Sequence, residues 1–497
     1  MKKQINPNLK AHLIRGACYL LLLLAICVIP FAFAQKTTPK GKGPANLITV
    51  TNINDSGPGS LRQALADANN GDTINFAVTG TIGLTSDELL VTRSITISGP
   101  GAENLAVNGN AKSRVFHIVS GQTVTISGLT ITNGHVSDSG GGIYNDHAVL
   151  TLNDCTISDN SATGNIGGGI HNDGKDVGHA TLQINNCLIT NNSGGGIYND
   201  AIQAGTAMLV ITYSTLSSNG PSEAINNDAW SCTFCGNGTT SVQITNSSII
   251  GNGGAIYSDT GRQNCGSSCP VTISITNSTI SGNGGGVHNS TLSDTVVSNS
   301  TISDNGFGIY NDYGATAASV HNTTMSNNGV EIRNFNAPVV VALSHTIFNV
   351  SPGGHSILND FGTVTSYGYN VSSDDGGGYL NGTGDQINTN PLLGPLQNNG
   401  GPTFTHQLLR GSPAIDTGDP SFTPPPLYDQ RGPGFPRVVN GRLDKGSFEV
   451  QGPAATPTPT STAMPTATVT PTVTPTPTGT PRLSPSPRLR PTRPPRP

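Results

Sequence analysis

Residues 140–146 read Gly-Gly-Gly-Ile-Tyr-Asn-Asp, and the phrase returns as GGGIHND at 167–173 and GGGIYND at 194–200. Looser copies follow as EAINND (223–228), GGAIYSD (253–259), GGGVHN (284–289), GFGIYND (306–312) and GHSILND (354–360). The aliphatic position of the phrase recurs from Ile143 to Ile357 about every 27 residues, a period that marks stacked repeats. A second phrase interleaves with it: CTISDN from 155, CLITNN from 187, STLSSN from 214, SSIIGN from 247, STISGN from 278, STISDN from 300 and TTMSNN from 323. Both phrases set β-branched residues at alternate positions between Gly, Asn and Ser turns, and long helical periodicity is absent. Three short strands per coil, each coil stacked about 4.8 Å on the last, predict an all-β solenoid, a parallel β-helix of roughly a dozen coils.

The stacking assigns roles to columns of residues. Aliphatics fill the inside, and Asn160, Asn192, Asn219, Asn252, Asn283, Asn305 and Asn328 recur at one corner, where an amide can bond the copy in the next coil. Beside the inward isoleucines, the next position points outward and reads Tyr144, His171, Tyr198, Asn226, Tyr257, His288, Tyr310, Arg333. A stripe of rings suits stacking on sugars, which makes Tyr144, His171, Tyr198, Tyr257, His288 and Tyr310 the candidate carbohydrate-binding residues. The other reading of the stripe is a self-packing ladder that stiffens one face. Asp146, Asp173 and Asp200, with Asp228, Asp259 and Asp312, form a parallel column of carboxylates. Such a column offers hard oxygen ligands, so Asp146, Asp173 and Asp200 are the weak candidates for Ca²⁺; the favoured reading is turn capping by exposed Asn-Asp pairs, with no cofactor.

Cys155 and Cys187 occupy the place of Ser214, Ser247, Ser278 and Ser300, so small inward residues are stacked there. Cys232, Cys235, Cys265 and Cys269 fall in two inserted loops; in an exported protein they are disulfide candidates, with the pairing open, rather than zinc ligands.

Composition and the chain ends bound the rest. Charged residues make up 11% and aromatics 5% of 497 residues, too few for a coiled coil or helical bundle. The amino-terminal 42 residues hold Lys2, Lys3, Lys10, Arg15, Lys36, Lys40 and Lys42, and the last stretch holds five arginines, which leaves 12 basic residues against 29 acidic ones in the body. An acidic body of this kind does not attract nucleic acid or an anionic membrane. Residues 1–34 read as a signal peptide: a basic stretch, an apolar run from Ala17 to Phe33, and Ala32-Phe33-Ala34 as the cleavage site, so the protein is expected to be secreted or at the cell surface, with no transmembrane span once mature. Residues 35–46 are a linker. Residues 47–76 form a cap, a strand followed by a short helix with Ser60 as its N-cap, over the first coil of a β-helix spanning 77–389. Residues 390–451 are a Pro-rich unit expected to close the far end of the core, and 452–497 are a disordered Pro/Thr-rich basic tail.

The body resembles the right-handed parallel β-helix (pectin lyase-like) superfamily, which includes pectate lyases and bacterial surface proteins. The stretch Asn54-Asp55-Ser56-Gly57-Pro58-Gly59-Ser60-Leu61-Arg62-Gln63-Ala64 resembles the amino-terminal segment of proteins with a CSLREA-type motif, with Gly59 where that motif has cysteine. Asn390-Pro391-Leu392-Leu393-Gly394, Gly411-Ser412-Pro413-Ala414-Ile415-Asp416, Asp429-Gln430-Arg431-Gly432 and Asp444-Lys445-Gly446-Ser447-Phe448-Glu449 are similar to the choice-of-anchor Q domain. The resemblance implies a right-handed coil and export.

For chemistry, a lyase acting on uronates needs a cation and a base. Between residues 116 and 330 the Lys and Arg residues are Lys175 and Arg262, both in inserted loops, and the aligned carboxylates recur once per coil instead of clustering. With no coil where the repeat breaks to gather acid, base and cation, the expectation is a non-catalytic surface or extracellular protein that binds a cell-wall glycan or other polysaccharide, or mediates adhesion. The alternative is a polysaccharide lyase or glycoside hydrolase of the same superfamily, and a structural spacer ranks third. The oligomeric state is not legible.

Overall fold

The computed structural model describes residues 45–164, 167–229, 238–260, 271–290, 292–336 and 338–452. The expected signal peptide, nearly all of the linker, Cys232, Cys235, Cys265, Cys269, Arg262 and the Pro/Thr-rich tail lie outside them. The body is the expected right-handed parallel β-helix of about a dozen coils. Among the described residues three long sheets of 13, 12 and 11 strands run its length, and every pairing within them is parallel. One coil shows the plan: Ile143–Asp146 lies in the 11-stranded sheet (sheet 3), Val149–Asn153 in the 13-stranded sheet (sheet 1) and Thr156–Ser158 in the 12-stranded sheet (sheet 2). The corner between sheets 1 and 2 is a tight turn through a left-handed residue, Asp154 at φ 53°, Asn186 at 51°, Asn246 at 52° and Asn277 at 52°. Asn and Asp tolerate that conformation better than other non-glycine residues, which explains their recurrence there.

Strand alternation buries the aliphatic columns. Ile143, Ile170, Ile197, Ile225, Ile256 and Ile309 are all buried in one continuous core. Each such side chain contributes about 1.5–3 kcal/mol relative to exposure. Polar residues inside the coil are admitted where they bond their own copies. At the corner after sheet 2, Asn192 donates through Nδ2 to Asn219 Oδ1 (2.9 Å) and Ile157 O (3.0 Å), and the bond repeats from Asn160 to Asn328. A second amide ladder, absent from the sequence reading, runs inside sheet 3: Asn145 to Asn172 (2.7 Å), Asn172 to Asn199 (2.7 Å) and Asn199 to Asn227 (2.8 Å). Cys155 and Cys187 are buried at the head of a third column, in which each backbone N–H meets the next coil's Sγ or Oγ.

The corner ladder ends on a carboxyl. Asn328 donates its backbone N–H and its Nδ2 to Glu331, a buried side chain whose carboxyl is pushed up to about 8 by burial, against bonds from Asn328 that pull the other way.

Both ends of the core are covered. Helix α1, Leu61–Asp67, takes its N-cap from Ser60, which accepts from the Gln63 N–H (3.2 Å), and turns Leu61, Ala64 and Leu65 onto the first coil. At the other end Leu380 and Tyr379, after the 3₁₀ turn Gly376–Gly378, pack on the core. The carboxyl-terminal unit does not do this job, contrary to expectation. It runs beside sheet 2, because Thr279, Thr301, Ser303 and Thr324 present outward hydroxyls there. Gln430 donates to Thr279 Oγ1 (2.9 Å) and Thr403 Oγ1 (3.0 Å) and accepts from Thr301 Oγ1 (2.6 Å). Ser447 bonds Thr324, and His406 bonds Ser303 (2.9 Å). A small second core of Ile347, Val371, Leu408, Ala414 and Phe448 seals the contact. Asp429-Gln430-Arg431 thus serves two ends: Gln430 grips the body while Arg431, paired with Asp429 (2.6 Å), lies 4.0 Å from the Phe435 ring and 3.8 Å from the Phe448 ring.

Asn219→Ala removes the acceptor of Asn192 and the donor to Ile189 O, leaving buried amides unpaired; urea unfolding is expected to show a loss of about 2 kcal/mol or more. Because the folded-state value of Glu331 lies above its ordinary 4.5, its contribution is fully present below pH 4.5 and is lost as pH rises through about 8. Melting curves between pH 5 and 8 should therefore fall more steeply for the native chain than for Glu331→Gln.

Candidate active site on sheet 3

Sheet 3 aligns its outward residues in strict register. The column reads Leu90, His117, Tyr144, His171, Tyr198, Asn226, Tyr257, His288, Tyr310, Arg333 and Leu358, so the six ring residues expected on one face do share it. Neighbouring rings touch: Tyr144 and His171 centroids are 5.3 Å apart, His171 and Tyr198 5.0 Å, Tyr257 and His288 5.0 Å, and His288 and Tyr310 4.8 Å. Asn226 carries no ring and divides the column into two groups. The expected exposure of the stripe fails at its middle, where His171 is 3% and Tyr198 8% exposed. The cause is the turn before sheet 3: Ser139 Oγ bonds His171 Nδ1 (2.8 Å), and Gly167 (φ 57°) passes so close that an added Cβ would lie 2.9 Å from the Cβ of Tyr198.

The carboxylate column also differs from expectation. Asp173, Asp200 and Asp312 are buried, not exposed turn residues, although Asp173 and Asp200 do cap their turns by accepting from the N–H two residues on. Burial is possible because the ring of one coil answers the carboxylate of the next. The Tyr144 hydroxyl donates to Asp173 (2.5 Å) and that of Tyr198 to Asp228 (3.0 Å); His171 Nε2 lies 3.4 Å from Asp200, and His288 Nε2 3.2 Å from Asp312. Burial first, then the facing carboxylates, raise the hydroxyls of Tyr144, Tyr198 and Tyr257 well above the ordinary range, so they stay protonated donors.

The amino-terminal end of this face breaks the repeat. Arg114, buried, donates to Glu88 Oε2 (2.5 Å), Gly140 O (2.9 Å), Ser139 O (2.9 Å) and Asp138 Oδ1 (3.3 Å), and its guanidinium lies 4.9 Å from the Tyr144 ring centre. The other oxygen of Glu88 bonds His117 Nδ1 (2.7 Å), and His117 Nε2 faces Asp146 at 3.7 Å. Burial opposes ionisation of Glu88, but His117 and Arg114 overcome it and hold its carboxyl below the usual range. Across the face, Lys175 Nζ sits 3.1 Å from Asp173 and its side chain is 39% exposed. Burial would lower its ammonium; Asp173 more than offsets this and raises it. Asp146 pairs with His147 Nδ1, and His147 Nε2 bonds Lys175 O (2.8 Å).

Asp146, His147 and Asp173 thus gather within 4.8 Å, and so do His171, Asp173 and Asp200. The Ca²⁺ candidates Asp146, Asp173 and Asp200 fall in two different groups that share Asp173, and Asp173 already answers Tyr144 and the Lys175 ammonium. Asp416, Asp444 and Glu449 form a third such group in the carboxyl-terminal unit. Glu88, Arg114 and His117 were missed in the sequence. Arg114 lies two residues before the 116–330 stretch whose basic residues are Lys175 and Arg262, and its coil precedes the first Gly-Gly-Gly phrase. The signal was there in Phe116-His117-Ile118, which alternates like Ile143-Tyr144-Asn145.

No protein-family profile matches the chain. The probable pectate lyase C of Aspergillus terreus is 32% identical over 127 residues, 25% of this chain, and the match spans 28% of that protein's length. Among solved structures, pectate lyase Pel9A is 14% identical with a TM-score of 0.47, covering 82% of this chain and 97% of its own. An alginate lyase from Paenibacillus is 18% identical with a TM-score of 0.35, covering 65% and 98%, and the catalytic domain of a GH87 α-1,3-glucanase is 14% identical with a TM-score of 0.38, covering 67% and 70%. The expectation of a non-catalytic binding or adhesion protein is corrected here. The sequence relative bears the name of a lyase, and the missing break in the repeat exists at Glu88, Arg114 and His117.

Replacing Arg114 by Met leaves the Glu88 carboxylate with His117 as its one charged partner and removes three bonds to the turn; chemical unfolding should register a loss of about 3 kcal/mol.

Proposed function

We propose that the chain is a polysaccharide lyase acting on a uronate-bearing glycan at the amino-terminal end of sheet 3. The observation that carries this reading is the convergence of Arg114, Lys175, Asp146 and Tyr144 on one face, where the regular repeat is interrupted. The local likeness to a probable pectate lyase supports it. In such an elimination a base removes the proton on the carbon beside the uronate carboxylate. The bond from the adjacent carbon to the glycosidic oxygen then breaks, a carbon–carbon double bond forms, and the departing oxygen regains a proton. Lys175, held charged beside Asp173 and partly open to solvent, meets the substrate carboxylate as negative charge builds on it. Asp146 is the acceptor, backed by His147 and faced by His117. Tyr144, kept protonated, is the hydroxyl next to the departing oxygen. Arg114 touches no substrate in this scheme; it positions Glu88, His117 and the 138–140 turn. Secretion or surface display belongs to the same proposal, supported by the leader ending Ala32-Phe33-Ala34, as does the choice-of-anchor Q likeness of residues 390–451.

The test incubates the purified protein with polygalacturonate and alginate, with Ca²⁺ or with a chelator, and follows the absorbance of unsaturated uronate. Product is expected, with Lys175→Met and Asp146→Asn each slowing it about a hundredfold or more. New reducing ends without that absorbance would replace elimination by hydrolysis, and no product from a folded protein would overturn the reading.

A further inference from the structure

The second group of rings on sheet 3 departs from the repeat in its own way. Phe307 stands where Gly141, Gly168, Gly195 and Gly285 stand in other copies of the phrase. Its ring lies over Gly285, where an added Cβ would come within 2.4 Å of it, so the phenyl group fits because the preceding coil kept its glycine. Around it, His288 is 6.0 Å away between ring centres and Tyr310 5.5 Å; Tyr310 in turn stacks on Phe335 at 6.5 Å and 26°. Arg333 takes the outward place held by rings in earlier coils. Its guanidinium lies 5.5 Å from the Phe335 ring centre and gives one nitrogen to Asp360 (2.7 Å). Phe307, Tyr310, Phe335 and Arg333 are all partly exposed, in contrast to buried His171 and Tyr198. From Tyr144 to Tyr310 there are six coil steps, about 29 Å at about 4.8 Å each.

We propose that Phe307, Tyr310 and Arg333 form a distal subsite that holds a uronate-bearing sugar of the same polysaccharide chain, several sugar units from the catalytic cluster. The inference rests on the lyase reading for its substrate class. Half-open rings offer an apolar surface to the face of a pyranose, and the guanidinium offers planar donors to its carboxylate. Both places lie in one register-aligned column, about 29 Å apart, a span that one extended polysaccharide chain matches.

The test uses the full chain carrying Asp146→Asn, so that ligand is not consumed, and compares labelled polygalacturonate of more than ten units with the trimer by fluorescence polarisation. The parent should bind the long chain more tightly than the trimer. Adding Phe307→Gly, which restores the repeat's own residue, or Arg333→Gln should weaken long-chain binding about tenfold, the size of one lost stacking or charged contact, with circular dichroism showing the fold intact. Unchanged long-chain affinity in both variants, or a parent that binds no long chain, overturns the subsite. Weakened binding in a protein whose native form makes no product keeps the subsite and removes the lyase, whereas product with unchanged binding does the reverse.

Discussion

Every inner strand of the three sheets hydrogen-bonds to the coil before it and the coil after it, so its side chains sit about 4.8 Å from their equivalents in the neighbouring coils. Only side chains that suit their own copies can fill a column under that constraint. Aliphatics do so by packing. Asparagine does so because its amide both donates and accepts, which is why the ladders from Asn160 to Asn328 and from Asn145 to Asn227 can be buried, with the Asn145 Oδ1 at the head of the second left unpaired. Carboxylates have no such complementarity; the acidic column of sheet 3 is tolerated because a tyrosine hydroxyl or an imidazole from the preceding coil meets most of its members.

The same constraint explains why the proposed lyase chemistry is assigned to the amino-terminal coils. A column of identical residues cannot bring acid, base and cation together; that takes a coil whose residues differ from those of its neighbours. Glu88 and Arg114 supply that difference ahead of the regular phrase, and Arg114 spends its donors on the 138–140 turn and Glu88. The rigid guanidinium fixes the floor of the site, while the flexible ammonium of Lys175 stays accessible above it.

The fold was legible because period and alternation are properties of the string itself: the three strands per coil, the outward ring column, the Asn corner and the Ser60 cap all follow from spacing. Coverage was not. His171 and Tyr198 occupy the same outward place as Tyr144, and nothing in Gly-Gly-Gly-Ile-His reveals that the Ser139 turn folds over one of them. The site was hidden for a related reason, since Arg114 and His117 lie in a coil that matches the repeat in shape but not in letters. The carboxyl-terminal unit announced itself by its proline content, yet its docking face depended on hydroxyls of Thr279, Thr301 and Thr324 that look no different from Thr156 or Thr215 upstream.

Gln430 reaches residues of the body 129 to 152 positions earlier in the chain, and Ser447 reaches residues 123 and 146 positions earlier. A stack in which each coil touches its two neighbours can fray or grow one coil at a time. The span from Thr279 to Ile347 loses that freedom once Gln430, Ser447 and the small core of Leu408 and Phe448 tie its coils to one another. The carboxyl-terminal unit is therefore a splint laid across one half of a spring. It ties the coils of that half to one another across several steps of the stack, beyond the bonds each makes to its neighbours.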